Sequence, residues 1–417
     1  MTRLVAYLRS SRAPYLFALV ITVVGSAYAQ YLWQYVWPGI PLLKAQPPGV
    51  YLGLLGAGVT FLLWVPAPRR RAQGPLANSF LVILMALWVI VLALSIVHED
   101  LFNHGVWVYP VIVAMLWLKW PTSDEARSSL VMSGWLLAGI LAGTRLLELL
   151  GLIPMATVSE GMTRYERTHY WLPLSGWLGP EGRWPGPLGH NANTGSMGAY
   201  LVVLGVALRR RYGIVFVLVG TLTLFLTMSR GSMIAAIVGL VIVLLLGDYP
   251  WTRRFKRKHL IATVLGLCVA AFGAALLVAP NLTGRTSSYW PMFLDLWRSS
   301  PWTGVGITGI AAGPEFIRES NGHNLLIDAL AKYGIVAALL VGALLVVALT
   351  AAVKAASRLV IVPLGLISTF LVIGATESDF DWITTSTPWL FLVLAVAMAT
   401  AAVETPAAPR DPLESVS

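Results

Sequence analysis

Two arginines and a histidine, in three separate polar segments, carry most of the chemistry this chain can offer. The first segment is "TMSRGSM" (227–233), where Arg230 stands between two apolar runs at the start of a helix. A charge so close to hydrocarbon is costly and usually has a partner. A helix start adds exposed N–H groups and a positive dipole end, and Gly231 lets a ligand approach the backbone. Together these make an anion site, most naturally for a phosphate or diphosphate. The plainer alternative is an interfacial arginine snorkelling to lipid headgroups. The second segment is "LTGRTSSYWPMFLDLWRSSPWTGVGITG" (282–309). In it Arg285 follows a glycine, and Trp290, Trp297 and Trp302 can pack the segment onto a membrane surface. Its "GVGITG" is no dinucleotide fingerprint, since no βαβ unit surrounds it; the glycines suit tight turns beside a bound ligand. The third is "NGHNLLIDALAKYGI" (321–335), in which His323 precedes an apolar helix that Asn321 is expected to cap. An imidazole at such a mouth can serve as a general base near neutral pH, or can merely hydrogen-bond a neighbour.

Other ionisable and polar residues are secondary candidates. His190 and Asn191 sit at the mouth of a span, and Asn324 adjoins His323, so these three can line a cavity. Arg164, Arg167 and Arg183 lie in "TRYERTHYWLPLSGWLGPEGRWPG" (163–186), a segment rich in aromatic rings, Arg, Pro and Gly. Rings suit sugar faces and guanidiniums suit phosphates, although an interfacial aromatic belt explains part of the same composition. Arg145 and Glu148, one helical turn apart, read as a structural pair. Asp328 and Lys332 are spaced for an i, i+4 ion pair. Glu377, Asp379 and Asp381 could in principle hold a divalent ion.

The elements that must position these residues are membrane helices. The 417 residues are 57% hydrophobic and 12% charged, with a mean hydropathy of +0.74. A soluble chain carries roughly twice that charged fraction. Apolar runs of membrane-crossing length fall at 14–32, 50–66, 76–97, 104–120, 129–150, 193–208, 213–229, 231–247, 260–279, 324–349, 359–375 and 382–402. The expected fold is therefore an all-α polytopic membrane protein of about twelve spans, a single integral domain over 1–417. The net charge of +10 does not imply a nucleic-acid partner. Its basic clusters (Arg3/Arg9/Arg12, Arg69–Arg71, Arg209–Arg211, Arg253 to Lys258, Lys354/Arg358) all fall on one side of a twelve-span arrangement, as the positive-inside rule requires. The long connections 151–192 and 280–323 then face outward, and loops of that length are uncommon unless functional or disordered. A basic start, an apolar run and "AYAQ" (27–30) resemble a signal peptide, but an uncleaved first span is the expectation. Cys268 is the only cysteine, which leaves no intrachain disulfide.

The ordered set SRG (229–231), GR…W (284–290), SPWTGVG (300–306) and GHN (322–324) followed by a KYGI helix resembles the O-antigen ligase and polymerase superfamily. The segment "GPLGHNANTGSMGAYL" (186–201) looks like that family's His/Pro-Asn-x-x-Gly segment. The resemblance covers roughly residues 187–376, and its strength is the order of the motifs. It implies an inverting, metal- and cofactor-independent glycosyltransferase of the membrane-embedded GT-C type, in the bacterial cytoplasmic (inner) membrane with its active site on the periplasmic side. The implied donor is a glycan on undecaprenyl diphosphate, and the implied acceptor is a hydroxyl of lipid A core or another envelope component. By the same resemblance Arg230 and Arg285 would bind the diphosphate, and His323 would activate the acceptor.

A ligase, a polysaccharide polymerase and a protein O-oligosaccharyltransferase share these motifs, and the modest external loops favour the ligase. A lipid-linked-glycan transporter or flippase is the alternative from another class. It is disfavoured because nearly every charge lies in a loop or at a span end, whereas transporters place ionisable residues and broken helices near mid-membrane.

Overall fold

The computed structural model describes residues 74–99, 120–152, 184–208 (except 185, 189 and 190), 211–247, 290–312, 324–376 and 386–404, with isolated positions 259, 262 and 266. Among these residues the protein is helical throughout and contains no strand. The helices in chain order are α1 (Pro75–Val97), α2 (Ser123–Leu149), a 3-10 turn (Gly186–Leu188), α3 (Asn191–Leu208), α4 (Arg211–Thr227), α5 (Arg230–Leu246), α6 (Trp290–Ser299), α7 (Gly306–Ala311), α8 (Leu325–Ser357), α9 (Val362–Thr376) and α10 (Ser386–Glu404). α1, α2 and α8 are long and apolar enough to cross a membrane. α3, α4, α5, α9 and α10 contain shorter apolar helices. A 17-residue helix such as α4 or α5 rises about 26 Å at 1.5 Å per residue, close to the thickness of the hydrocarbon core. The chain is an integral membrane protein. These eight helices fall on eight of the expected spans; the expected spans at 14–32, 50–66, 104–120 and 260–279 lie outside the described residues or touch them only at isolated positions.

Small residues set the packing, because in lipid there is no hydrophobic drive between helices and close backbone approach supplies the attraction. α3 and α4 meet at two glycine pairs. A Cβ on Gly198 would stand 2.9 Å from the carbonyl oxygen of Gly220, and one on Gly213 would stand 2.3 Å from that of Gly205. On the other side of α3, Val203 meets Gly239 of α5 and Gly365 of α9. α8 turns an alanine-rich face inward, with Ala337, Ala348, Ala352 and Ala356 fully buried. Tyr200 of α3 stacks on Phe391 of α10 with ring centroids 4.8 Å apart and planes 6° from parallel.

Hydrogen bonds between helix termini sort the bundle into two ends. At one, Glu404 of α10 accepts from the backbone N–H of Leu76 at 2.8 Å, serving as the missing cap of α1. Arg358 donates to the carbonyl of Ala402 at 2.9 Å, and the Trp120 indole N–H donates to Thr400 at 3.1 Å. Thr122 and Glu125 close a reciprocal capping box on α2. The other end gathers the finish of α1, α2, α4 and α9 and the start of α3, α5 and α8, linked by the contacts described below. These eight apolar helices thus run from one end to the other.

Two expectations need correction. The helix after His323 is capped by Asn324 rather than Asn321. Asn324 has extended backbone, and its Oδ1 accepts from the N–H groups of Leu326 and Ile327 at 3.0 and 3.2 Å, a reach open only to a residue directly preceding the first turn. The span expected at 324–349 is a 33-residue helix broken at Gly334, whose φ of 77° and ψ of −176° are not helical.

Candidate functional site

Arg230 is the first residue of α5, and the turn that delivers it is only two residues long. Met228 takes φ of 51° there, a left-handed conformation that costs a non-glycine residue about 1 kcal/mol. Its N–H is held by the carbonyl of Leu224 at 3.0 Å. Ser229 then caps α5, with its Oγ accepting from the Ser232 N–H at 3.4 Å and lying 2.8 Å from the Ser232 Oγ. The Ser232 hydroxyl reaches across to the carbonyl of Ala192 in α3 at 3.3 Å. A Cβ on Gly195 would lie 2.8 Å from the Ser229 Cβ and 3.0 Å from both Ser232 Oγ and Thr227 Oγ1. Glycine at 195 is therefore what lets the start of α3 abut the SRG turn. Two helix N-termini end up side by side, and both dipoles point their positive ends the same way. Among the described residues no carboxylate pairs with Arg230, which is exposed.

The start of α8 lies at the same end of the bundle. The Asn324 side-chain amide, besides capping α8, points its N–H at the carbonyl of Ala375 at 3.5 Å, near the end of α9. The Gly-His-Asn segment and the acidic segment at 377–381 therefore join the described structure at neighbouring points.

The break in α8 is filled by SPWTGVG. In an unbroken helix the Ile335 N–H would bond the Ala331 carbonyl. Here Ile335 donates to Pro301 at 2.9 Å, and Ala331 accepts from Val305 at 2.8 Å. The loop is spliced into the helix, taking up both orphaned groups. The fit needs two glycines with positive φ: a Cβ on Gly304 would lie 2.4 Å from the Lys332 carbonyl carbon, and one on Gly334 would lie 2.2 Å from the Trp302 carbonyl oxygen. The tight turns expected of this glycine-rich stretch are present, and their partner is the helix break. Phe293 of α6, Ile310 of α7 and Ala331 of α8 form a small separate core behind the splice. His98, at the finish of α1, lies 3.2 Å from the Thr303 carbonyl through Nε2. Trp302 projects from the loop with 72% of its surface exposed. Asp328 and Lys332, expected as an ion pair, are both buried in the segment before the break.

Residues 214–342, which hold Arg230, the spliced loop and the start of α8, match the family model described as O-antigen ligase. Over that stretch the chain is similar to the O-antigen ligase family. Members of that family act as glycosyltransferase-like ligases or polymerases. No curated protein matches the chain. The O-antigen ligase match contains all three of the residues singled out first, Arg230, Arg285 and His323.

Arg230 and Asn324 are the candidates whose side chains the structure describes. His323, Arg285, His190, Arg164, Arg167 and Arg183, together with Glu377, Asp379 and Asp381, lie outside the described residues; Asn191 opens α3. A further group of residues at this end was only half anticipated. Arg145 and Glu148 form the expected pair at 3.1 Å, with their side chains 9% and 0% exposed. Glu148 also accepts the indole N–H of Trp184 at 2.8 Å, and the Arg145 guanidinium sits 5.9 Å from the Trp184 ring centroid. The spacing of the pair was legible; its third member, 36 positions later, was not.

Proposed function

We propose that this protein transfers a glycan from undecaprenyl diphosphate to an acceptor hydroxyl at the outer face of the cytoplasmic membrane, with inversion and without a metal, as an O-antigen ligase. Arg230 and Arg285 hold the diphosphate, and His323 takes the proton of the acceptor hydroxyl. Negative charge grows on the diphosphate as the glycosidic bond breaks, so guanidiniums fixed in advance lower the barrier with little reorganisation. Inversion requires the imidazole and the diphosphate on opposite faces of the anomeric carbon.

The observation that carries this reading is the placement of Arg230. It stands exposed at the junction of two helix N-termini, with no carboxylate partner among the described residues, on the same bundle end as the mouth of α8 that follows His323. A cation left uncompensated at the edge of a membrane is expensive unless a ligand supplies the counter-charge. The orientation is supported by Arg211, Lys354 and Arg358, which lie towards the opposite end, consistent with that end being cytoplasmic. The twelve-span arrangement and outward loops at 151–192 and 280–323 belong to the same proposal.

Purified protein in nanodiscs, supplied with a lipid-linked oligosaccharide and a core acceptor, tests the assignment. Arg230→Ala, Arg285→Ala and His323→Ala are each expected to abolish transfer with expression retained; full transfer by any of them removes that residue from the mechanism. Activity is expected to persist in EDTA, and a loss restored by a divalent cation would overturn the metal-free step. Lipid-linked repeat units offered without another acceptor separate a polymerase, which would lengthen them, from the ligase. A Ser- or Thr-containing protein acceptor tests the oligosaccharyltransferase in the same way. Movement of the intact lipid from the cytoplasmic to the outer leaflet without transfer would point to the flippase.

A further inference from the structure

We infer that Trp184, held by Glu148 and Arg145, is a positioning residue that fixes the turn bearing Arg230 in its anion-binding geometry. The inference rests on the reading of Arg230 as a diphosphate ligand. Trp184 lies in a connection between α2 and α3, yet it is 3% exposed and is fixed from three directions. Its backbone N–H donates to the carbonyl of Leu226 at 2.9 Å. Its indole N–H donates to the Glu148 carboxylate at 2.8 Å, and its ring lies beside the Arg145 guanidinium.

Leu226 is in the last turn of α4, two residues before Met228, so this contact bears directly on the SRG turn. The chain then continues from Trp184 to Gly186, whose φ of 63° seats it against Thr194; a Cβ there would lie 2.4 Å from the Thr194 Cγ2. From Thr194 the path passes to Gly195 against Ser229, and by way of Ala192 to Ser232. The contacts form a closed ring around the Arg230 turn: α2, Trp184, the finish of α4, the turn itself, the start of α3, and back to Trp184. Removing the Trp184 link opens the ring at the side where Met228 already holds an unfavourable backbone conformation.

An ion pair buried this deeply is poor as a source of net stability, since desolvation offsets much of its attraction. Here it does something a hydrophobic pair could not. The carboxylate gives the indole N–H a charged acceptor in a fixed direction, so the ring has one orientation. The geometry of the turn is thereby tied to α2.

The test uses the full chain in nanodiscs and undecaprenyl diphosphate as the probe. Trp184→Phe keeps the ring and removes the N–H; Glu148→Gln keeps an acceptor and removes the charge. Positioning predicts that Trp184→Phe weakens undecaprenyl diphosphate binding by about 10-fold in the folded fraction, with KM for the donor rising while kcat changes less. It also predicts that the double variant is no worse than the weaker single one. A purely structural role would lower the melting temperature and the folded yield but leave Kd and KM of the folded protein at wild-type values, and that result overturns the inference. If Trp184→Phe does not fold, Glu148→Gln alone decides, by the same comparison of Kd against folded yield. Arg230→Ala is run alongside. If it binds the probe normally, the diphosphate reading itself has failed; if it loses binding while Trp184→Phe and Glu148→Gln do not, only the positioning role has.

Discussion

The two ends of the helical bundle are built from the same kinds of residue and use them differently. At the end that gathers Gly74, Trp120, Arg358 and Glu404, polar side chains are spent on the backbone. Glu404 caps α1, Thr122 and Glu125 cap α2, and Arg358 takes up a free carbonyl of α10. At the other end the architecture is less economical. Met228, Gly186, Gly304, Gly306 and Gly334 take positive φ there, against Leu359 alone among the described residues beside Arg358 at the first end. A loop is threaded into a helix break, a full ion pair is buried, and among the described residues Arg230 has no carboxylate partner. Strain of this kind persists only where the surroundings hold it in place, and it collects where ligands bind. The contrast teaches that an arginine spent on a helix terminus looks different from one exposed beside two helix N-termini, even when both lie at an end of the same bundle.

The sharpest way to break the comparison is to exchange the fates of those two arginines. Arg230→Ala is expected to lower transfer by at least on the order of 10²–10³-fold, the usual consequence of losing one preorganised charge at a reacting centre, with little change in melting temperature. Arg358→Ala, at the opposite end, is expected to leave transfer within about two-fold of wild type and to lower stability slightly, since its hydrogen bond to Ala402 is exposed. Equal losses of transfer in the two variants would erase the functional distinction between the ends.

Gly334→Ala should follow in size. The new Cβ meets the Trp302 carbonyl, and the backbone conformation disfavours any L side chain, so a cost of about 3 kcal/mol is expected. Denaturation in detergent, followed by tryptophan fluorescence, measures it directly. The Asn324→Ala and Glu404→Ala variants form a closer-matched pair. Each removes a helix cap worth about 1 kcal/mol. Only Asn324→Ala, beside His323, should also depress kcat; a comparable drop in Glu404→Ala would show that transfer simply follows stability. Asp295→Asn should change least. Its pairing with Arg298 is on the exposed surface of α6, where both side chains are two-thirds exposed, and such pairs contribute little.

How much of this was visible beforehand follows from the range over which each interaction acts. Apolar runs mark helices because lipid demands them, so the eight long apolar helices among the described residues lie close to their expected positions. The Arg145–Glu148 pair was legible because its partners are three residues apart on one helix. Trp184 as its third member was not, because nothing in the spacing joins residues 148 and 184. The cap of α8 was misplaced by three positions, since two asparagines in "NGHN" are equally good candidates until backbone direction chooses between them. The break in α8 was missed for a different reason. The apolar pattern runs unbroken across Gly334, and the residues that force the break belong to a loop thirty positions earlier. Glycines in both "SPWTGVG" and "KYGI" were the available sign, and their mutual fit appears only when the two segments are brought together.

The splice at Gly334 has a consequence for assembly. α8 cannot complete its own ladder of hydrogen bonds: at one rung it depends on Pro301 and Val305 for the missing acceptor and donor. A peptide of residues 325–357 alone in a bilayer should therefore close the gap between Ala331 and Ile335 and run straight. The direction in which the stretch nearest His323 leaves the membrane is then dictated by a distant segment arriving to be stitched in, so an alteration in that stitch would tilt the helix start without touching a residue of it.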